Sequence, residues 1–72
     1  MKVVAITVSA KDSDDEAETV VVADHFLAAI DHREANGANN TVEVKLKEGS
    51  ASFTIAGTLL SVKERDLNEA AN

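Results

Sequence analysis

Two Asp-His dipeptides are the residues of this sequence with the clearest capacity for chemistry. Asp24-His25 and Asp31-His32 stand seven positions apart. A carboxylate beside an imidazole can serve a metal site or an acid-base pair. On a helix, residues i and i+7 are separated by about 10.5 Å along the axis and cannot ligate one ion, and the favourable i, i+4 spacing is missing. We therefore expect no metal site, and we interpret both histidines as solvated surface residues.

The remaining reactive side chains lack the setting that catalysis needs. No serine lies in a Gly-x-Ser-x-Gly turn, and the carboxylates between residues 12 and 18 have no apolar pocket in their own segment. The three glycines are isolated, so no phosphate-binding loop is present. We expect neither enzymatic activity nor a cofactor.

The composition excludes several other classes of function. Seven basic and 13 acidic residues give a net charge of −6, which disfavours direct binding to nucleic acid or to an anionic membrane. No apolar run approaches the roughly 20 residues of a membrane span, and no signal peptide is evident. Cysteine is absent, so a disulfide framework and a thiolate site are excluded. We expect one cytoplasmic domain over residues 1–72.

The first element is predicted to be a strand from Lys2 to Ser9. Its β-branched residues favour extended backbone, and Val4, Ile6 and Val8 fall on one face at period two. Val3 and Ala5 give the opposite face some apolar character as well. This pattern is typical of a strand that is partly covered on both sides.

A long helix is predicted next, over residues 14–35. Ser13 and Glu16 form an S-x-x-E capping box, and Asn36-Gly37 supplies a left-handed stop. At 100° per residue, the apolar residues from Thr19 to Ile30 occupy one half of the cylinder. An alternative remains open, because the β-prone run from Thr19 to Val22 can form a hairpin with the first strand and leave a shorter helix after Asp24.

The acidic residues would then cover the solvent side of this helix. Capping and the helix dipole explain part of their concentration near the N-terminus. The same residues could also present negative charge to a basic groove on another protein. The candidate partner-binding residues are Asp12, Asp14, Asp15, Glu16, Glu18, Asp24 and Asp31.

A β-hairpin is predicted between Thr41 and Ala56. Apolar and polar residues alternate on both sides of the turn at Glu48-Gly49. A two-residue loop there fixes the register, which pairs Val42 with Ile55, Val44 with Phe53, Glu43 with Thr54, Leu46 with Ala51, Lys45 with Ser52 and Lys47 with Ser50.

The chain after Gly57 allows two interpretations. Ser61 and Glu64 form a second capping box ahead of good helix formers, yet residues 58–62 can also extend the sheet as a short strand. The predicted core consists of Val4, Ile6, Val8, Val20, Ala23, Phe26, Leu27, Ile30, Val42, Val44, Leu46, Phe53 and Ile55.

These elements predict an α+β fold in the order β-α-β-β. A three-stranded, mainly antiparallel sheet packs on one long helix, with the first strand beside the third and a C-terminal helical turn or short extra strand. The functional prediction is a non-catalytic acidic protein-binding module. In size and charge it is comparable with small inhibitors of the antitoxin, immunity or phage anti-defence type, which occupy a basic site on a nucleic-acid-handling protein. The alternative is an assembly subunit that self-associates through a sheet edge, so that changes at Lys45 or Thr54 would matter.

Overall fold

The described part of the protein consists mainly of β-strands. A computed structural model describes residues 1–10, 14–33, 40–47 and 52–67. The strands are β1 (Lys2–Ser9), β2 (Glu16–Val22), β3 (Phe26–His32), β4 (Thr41–Leu46), β5 (Phe53–Ala56) and β6 (Thr58–Asp66), with one short 3₁₀ turn at Ala23–His25 between β2 and β3.

The six strands form two antiparallel three-stranded sheets. The first sheet has the order β2-β1-β6, and the second has the order β3-β4-β5. The 3₁₀ turn carries the chain from β2 in the first sheet to β3 in the second, and Gly57 carries it back from β5 to β6. The segments β2–β3 and β5–β6 therefore each contribute one strand to the first sheet and one to the second. Bent segments connect orthogonally packed sheets in this way.

The core lies between the two middle strands. Val4, Ile6 and Val8 of β1 and Val42 and Val44 of β4 are all buried and form one cluster. The predicted strand Lys2–Ser9 is confirmed, and its apolar period-two face is the buried one. Half-buried residues complete the cluster: Val21, Ala23, Phe26, Ala29, Leu46, Ile55 and Leu59.

The outer face of β1 is buried too, although no third layer covers it within the described residues. Val3 and Ala5 are 2% and 5% exposed. Their neighbours across the two ladders are Val22 and Val20 on β2, and Arg65 and Lys63 on β6. Flanking side chains on both sides therefore cover a middle strand whose own outer residues are small.

The predicted hairpin between β4 and β5 is confirmed where it is described. Val42 pairs with Ile55, Glu43 with Thr54 and Val44 with Phe53, as the alternation and the turn predicted. The predicted partners Ala51 and Ser50, like the turn itself, lie outside the described residues. Lys45 lies on the middle strand of its sheet and is not at an edge, whereas Thr54 lies on the edge strand β5.

The predicted α+β fold is wrong, because no long helix exists between residues 14 and 33. Glu16–Val22 is a strand that pairs antiparallel with β1, so the hairpin alternative was right for this run, but Phe26–His32 is a strand rather than a shorter helix. The β-branched run from Thr19 to Val22 loses side-chain freedom in a helix and packs well on a pleated sheet. Ser13 and Asn36-Gly37, the predicted helix boundaries, lie outside the described residues.

Of the two interpretations after Gly57, the strand is confirmed and is longer than predicted, whereas the helical one is wrong. Thr58–Asp66 is one nine-residue strand, so residues 63–66 are not helical and the first strand pairs with β2 and β6 instead of with Phe53–Ala56. Three predicted core residues are exposed: Val20 by 43%, Leu27 by 58% and Phe53 by 37%. Leu27 is the extra residue where the register of β3 against β4 shifts, which explains why it is not buried.

Candidate protein-binding surface

Four of the predicted partner-binding residues lie next to one another in the chain, at and just before the start of β2. Asp14 and Asp15 lie at the start of the second arm of the β1–β2 hairpin, and Glu16 and Glu18 follow on β2 itself. All four are exposed. We call them the acidic patch. It forms on the edge strand β2 and the two residues before it, not on the helix that the sequence predicted.

The other three predicted residues do not extend this patch. Asp12 lies outside the described residues. Asp24 is exposed in the 3₁₀ turn, beyond the far end of β2. Asp31 lies on β3 in the other sheet, opposite Val42 on the core side, and its Oδ2 accepts a hydrogen bond from Arg33 Nε at 2.6 Å. Asp31 Oδ1 is buried and has no hydrogen-bond partner among the described residues.

The hairpin geometry decides which way the backbone of β2 points. The amide of Ala10 donates to the carbonyl oxygen of Asp15 at 2.8 Å, so these two opposed residues form a hydrogen-bonded pair. Hydrogen-bonded and non-hydrogen-bonded pairs alternate along an antiparallel ladder. The next residue, Glu16, therefore belongs to a non-hydrogen-bonded pair with Ser9.

This alternation continues without interruption, because the β1–β2 ladder has no register shift from Glu16 to Val22. Ala17, Thr19 and Val21 bond to β1. The backbone N–H and C=O groups of the intervening residues point away from β1, towards the open side of the sheet. Those outward-pointing residues are Glu16, Glu18, Val20 and Val22.

An ion pair crosses the outer face of the first sheet. Arg65 of β6 donates from Nη2 to Glu18 Oε1 at 2.6 Å, and it reaches diagonally over β1 to do so. Both side chains are partly exposed, at 39% and 45%. Partly exposed pairs of this kind contribute little to stability, so exchanging Arg65 for a basic group of another protein would cost Glu18 little.

The two Asp-His dipeptides do not form a common site. Asp24-His25 occupies the 3₁₀ turn before β3, and Asp31-His32 lies at the end of β3, about 20 Å away for a strand of this length. His32 Nε2 lies 3.1 Å from Glu43 Oε1 on the neighbouring strand. Sequence reasoning missed this contact because it placed His32 on a helix and Glu43 on a strand.

The described residues also contain no group of three or more His, Asp or Glu side chains arranged to hold a metal ion. No pocket occurs on the described part of the chain. Within the same residues, no helix is long and apolar enough to cross a membrane.

Two exposed residues beside the acidic patch were also missed. Val20 and Val22 share the outer face of β2 with Glu16 and Glu18, and they are 43% and 36% exposed. The helical interpretation placed Val20 in the core. The β-branched run from Thr19 to Val22 was the signal that could have identified them, because it favours a strand, and a strand from Glu16 to Val22 places Val20 and Val22 on the same face as the two glutamates.

Comparison of the chain with protein-family models, with curated proteins and with solved structures gives no significant match.

Proposed function

We propose that this chain is a non-catalytic protein-binding module that presents the acidic patch to a basic surface on another protein. The observation that carries the proposal is the exposure of four consecutive or alternating carboxylates, Asp14, Asp15, Glu16 and Glu18, at one end of the first sheet. Glu16 and Glu18 lie on the regular strand β2, so binding at these two residues would require little ordering of the backbone.

The charge of the whole chain supports the same proposal. A net charge of −6 on 72 residues produces a field that attracts a basic partner and speeds its encounter with the patch. Opposite charges also lie at the two edges of the outer face of the first sheet. Glu16 and Glu18 lie at the start of the edge strand β2, whereas Lys63 and Arg65 lie on β6 at the opposite edge.

Nucleic-acid-handling proteins are the class of partner that this charge fits best, because they carry basic grooves for phosphate. A small acidic domain seated in such a groove would exclude nucleic acid and act as an inhibitor. The proposal places this interaction in the cytoplasm, and it involves no direct contact between this chain and nucleic acid.

The test is capture of a basic protein by the tagged chain from lysate at about 50 mM and about 500 mM salt, since exposed charge pairs are screened across that range. A double variant, Asp14→Lys with Glu16→Lys, neutralises the patch, because its four residues then carry two positive and two negative charges. A matched double variant, Asp24→Lys with Glu64→Lys, makes the same charge change elsewhere on exposed residues. Each variant raises the net charge from −6 to −2, because every acid-to-lysine change adds two charges.

We expect the unchanged chain and the matched variant to capture the same basic protein at low salt, and we expect the patch variant to lose it. Capture that survives in the patch variant would overturn the proposal. Equal loss in both variants would also overturn it, because net charge rather than the patch would then govern binding.

A further inference from the structure

The edge strand β2 is the most open hydrogen-bonding edge of the described fold. Four strands lie at sheet edges: β2, β3, β5 and β6. Proteins protect such edges from pairing with other chains by bulges, by short strands and by charged side chains, lysine above all. Each of the other three described edges has a bulge or a short strand, whereas β2 has neither and carries no lysine; its charged residues, Glu16 and Glu18, lie in its first half and are both acidic.

The protecting devices are visible in the registers. The pairing of β3 with β4 shifts at Leu27, and the pairing of β6 with β1 shifts at Leu60. Both leucines are extra residues and are exposed, at 58% and 50%. Strand β5 has only four residues, and β6 also carries Lys63. Strand β2, in contrast, has seven residues in unbroken register.

The side chains along β2 specify what could pair with it. The four residues whose backbone groups point outwards also place their side chains on the outer face of the sheet. Glu16 and Glu18 make the first half of this row acidic, and the exposed Val20 and Val22 make the second half apolar. A strand added at this edge would form hydrogen bonds with the outward-pointing backbone groups, and its side chains would lie beside the two glutamates and the two valines.

We propose that β2 binds an extended segment of a partner protein by antiparallel strand addition, with two apolar residues opposite Val22 and Val20 followed by two basic residues opposite Glu18 and Glu16. From the N-terminus to the C-terminus of the partner segment, the pattern is apolar-x-apolar-x-basic-x-basic. Antiparallel pairing is favoured because it is the more stable arrangement per residue. This inference rests on the proposed function and names how the basic partner is held.

Charge selects a basic segment over a second copy of this chain. Pairing β2 with itself about a two-fold axis through Thr19 would set each glutamate opposite a valine. It would also bring together two chains that each carry a charge of −6. A basic segment instead places opposite charges directly across the new ladder, and such cross-strand pairs are favourable.

The probe is a capped synthetic peptide with the central sequence Val-Thr-Val-Thr-Lys-Thr-Lys, titrated into the ¹⁵N-labelled full chain. In the free protein we expect the amides of Ala17, Thr19 and Val21 to exchange slowly, because they bond to β1, and we expect those of Glu18 and Val20 to exchange fast. Bound peptide should protect Glu18 and Val20 selectively.

Two peptide controls leave the protein unchanged. Methylating the backbone nitrogens of the second valine and the first lysine removes two hydrogen bonds to β2, which should weaken binding at least about tenfold. Methylating two of the threonine nitrogens affects groups that point away from β2, so binding should change by less than about threefold. The reversed peptide, Lys-Thr-Lys-Thr-Val-Thr-Val, should bind at least about tenfold more weakly than the original.

A variant of the protein tests the pairing between the acidic half of β2 and the basic half of the peptide. Glu16→Lys should weaken peptide binding about fivefold, because it replaces an attractive cross-strand pair with a repulsive one. The matched change Glu64→Lys, on the other edge of the same sheet, should leave binding unaltered.

The inference is overturned if the peptide protects no β2 amide, if both methylated peptides bind equally, or if the reversed peptide binds as well as the original. It is also overturned if the Glu18 and Val20 amides are already protected in the free chain and the chain sediments as a dimer, since a second copy would then occupy the edge. If these tests fail while lysate capture still depends on Asp14 and Glu16, the acidic protein-binding function stands without strand addition. Failure of both experiments removes both proposals.

Discussion

Replacing Gly57 with alanine should strongly destabilise the fold, because this residue joins the two sheets at a point where no side chain fits. Its φ is +133°, outside the range that L-residues readily adopt, and its amide donates to the carbonyl oxygen of Asn40 at 3.0 Å. A β-carbon added at this position would overlap the backbone carbonyl oxygen of Ser9 at the end of β1. Relief would require either β1 or the β5–β6 junction to move.

The expected loss is about 2–4 kcal/mol, which combines the strain of an unfavourable φ with displacement of the Ser9 carbonyl. A domain of this length has a total stability of about 4–11 kcal/mol. The same loss corresponds to a decrease in Tm of about 8–30 °C for a domain of this size.

Thermal and urea unfolding followed by far-ultraviolet circular dichroism measures this effect, because the chain has no tryptophan or tyrosine to report by fluorescence. The control is a chemically synthesised chain with D-alanine at position 57, since a D-residue accepts positive φ and directs its methyl group away from Ser9. We expect this chain to unfold closer to the unchanged protein than the L-alanine chain does. An L-alanine chain with an unaltered unfolding midpoint would refute the reasoning.

Further substitutions test the core, the surface ion pair and the corner between the sheets, each by urea unfolding. Ile6→Ala should lower the free energy of unfolding by about 2–5 kcal/mol, because Ile6 is 0% exposed. Val62→Ala, at a position 41% exposed, should lower it by less than about 1 kcal/mol. Equal losses would contradict the core assignment. Arg65→Met should change stability by less than about 1 kcal/mol, because both side chains of its ion pair are partly exposed and methionine keeps an apolar side chain over β1, and a larger loss would show that the pair is structural. Thr58→Val removes the acceptor of the 2.9 Å hydrogen bond from Asn40 Nδ2 and should cost about 0.5–1.5 kcal/mol, while a neutral result would mean that this bond does not hold the corner.

Local patterning predicted two parts of the fold correctly. The limits of β1 follow from a β-branched run whose alternate residues are apolar, and both its faces proved to be buried. The β4–β5 register follows from alternation on either side of a short turn, and the pairs Val42–Ile55 and Val44–Phe53 match it. Partners close in sequence constrain one another, so a hairpin needs little further information.

The segment from Glu16 to His32 could not be assigned in this way. Its apolar residues satisfy the helical period as well as they satisfy two short strands, and the capping box favoured the helix. The decisive interactions are pairings of β2 with β1 and of β3 with β4. Both pairings join strands that are consecutive in the chain, but the apolar residues of this segment satisfy a helix equally well, so only the assembled sheets decide between the two.

The same distinction between local sequence and tertiary structure applies to the candidate site. The sequence by itself determined that the residues from Asp14 to Glu18 are acidic and that the chain is strongly negative. Only the tertiary structure decided that β2 lies at a sheet edge, that Val20 and Val22 are exposed beside the patch, and that Arg65 reaches Glu18 from 47 residues away. The physical reason is that charge and alternation belong to the residues themselves, whereas an edge exists only once the remaining strands have taken their places in the sheet.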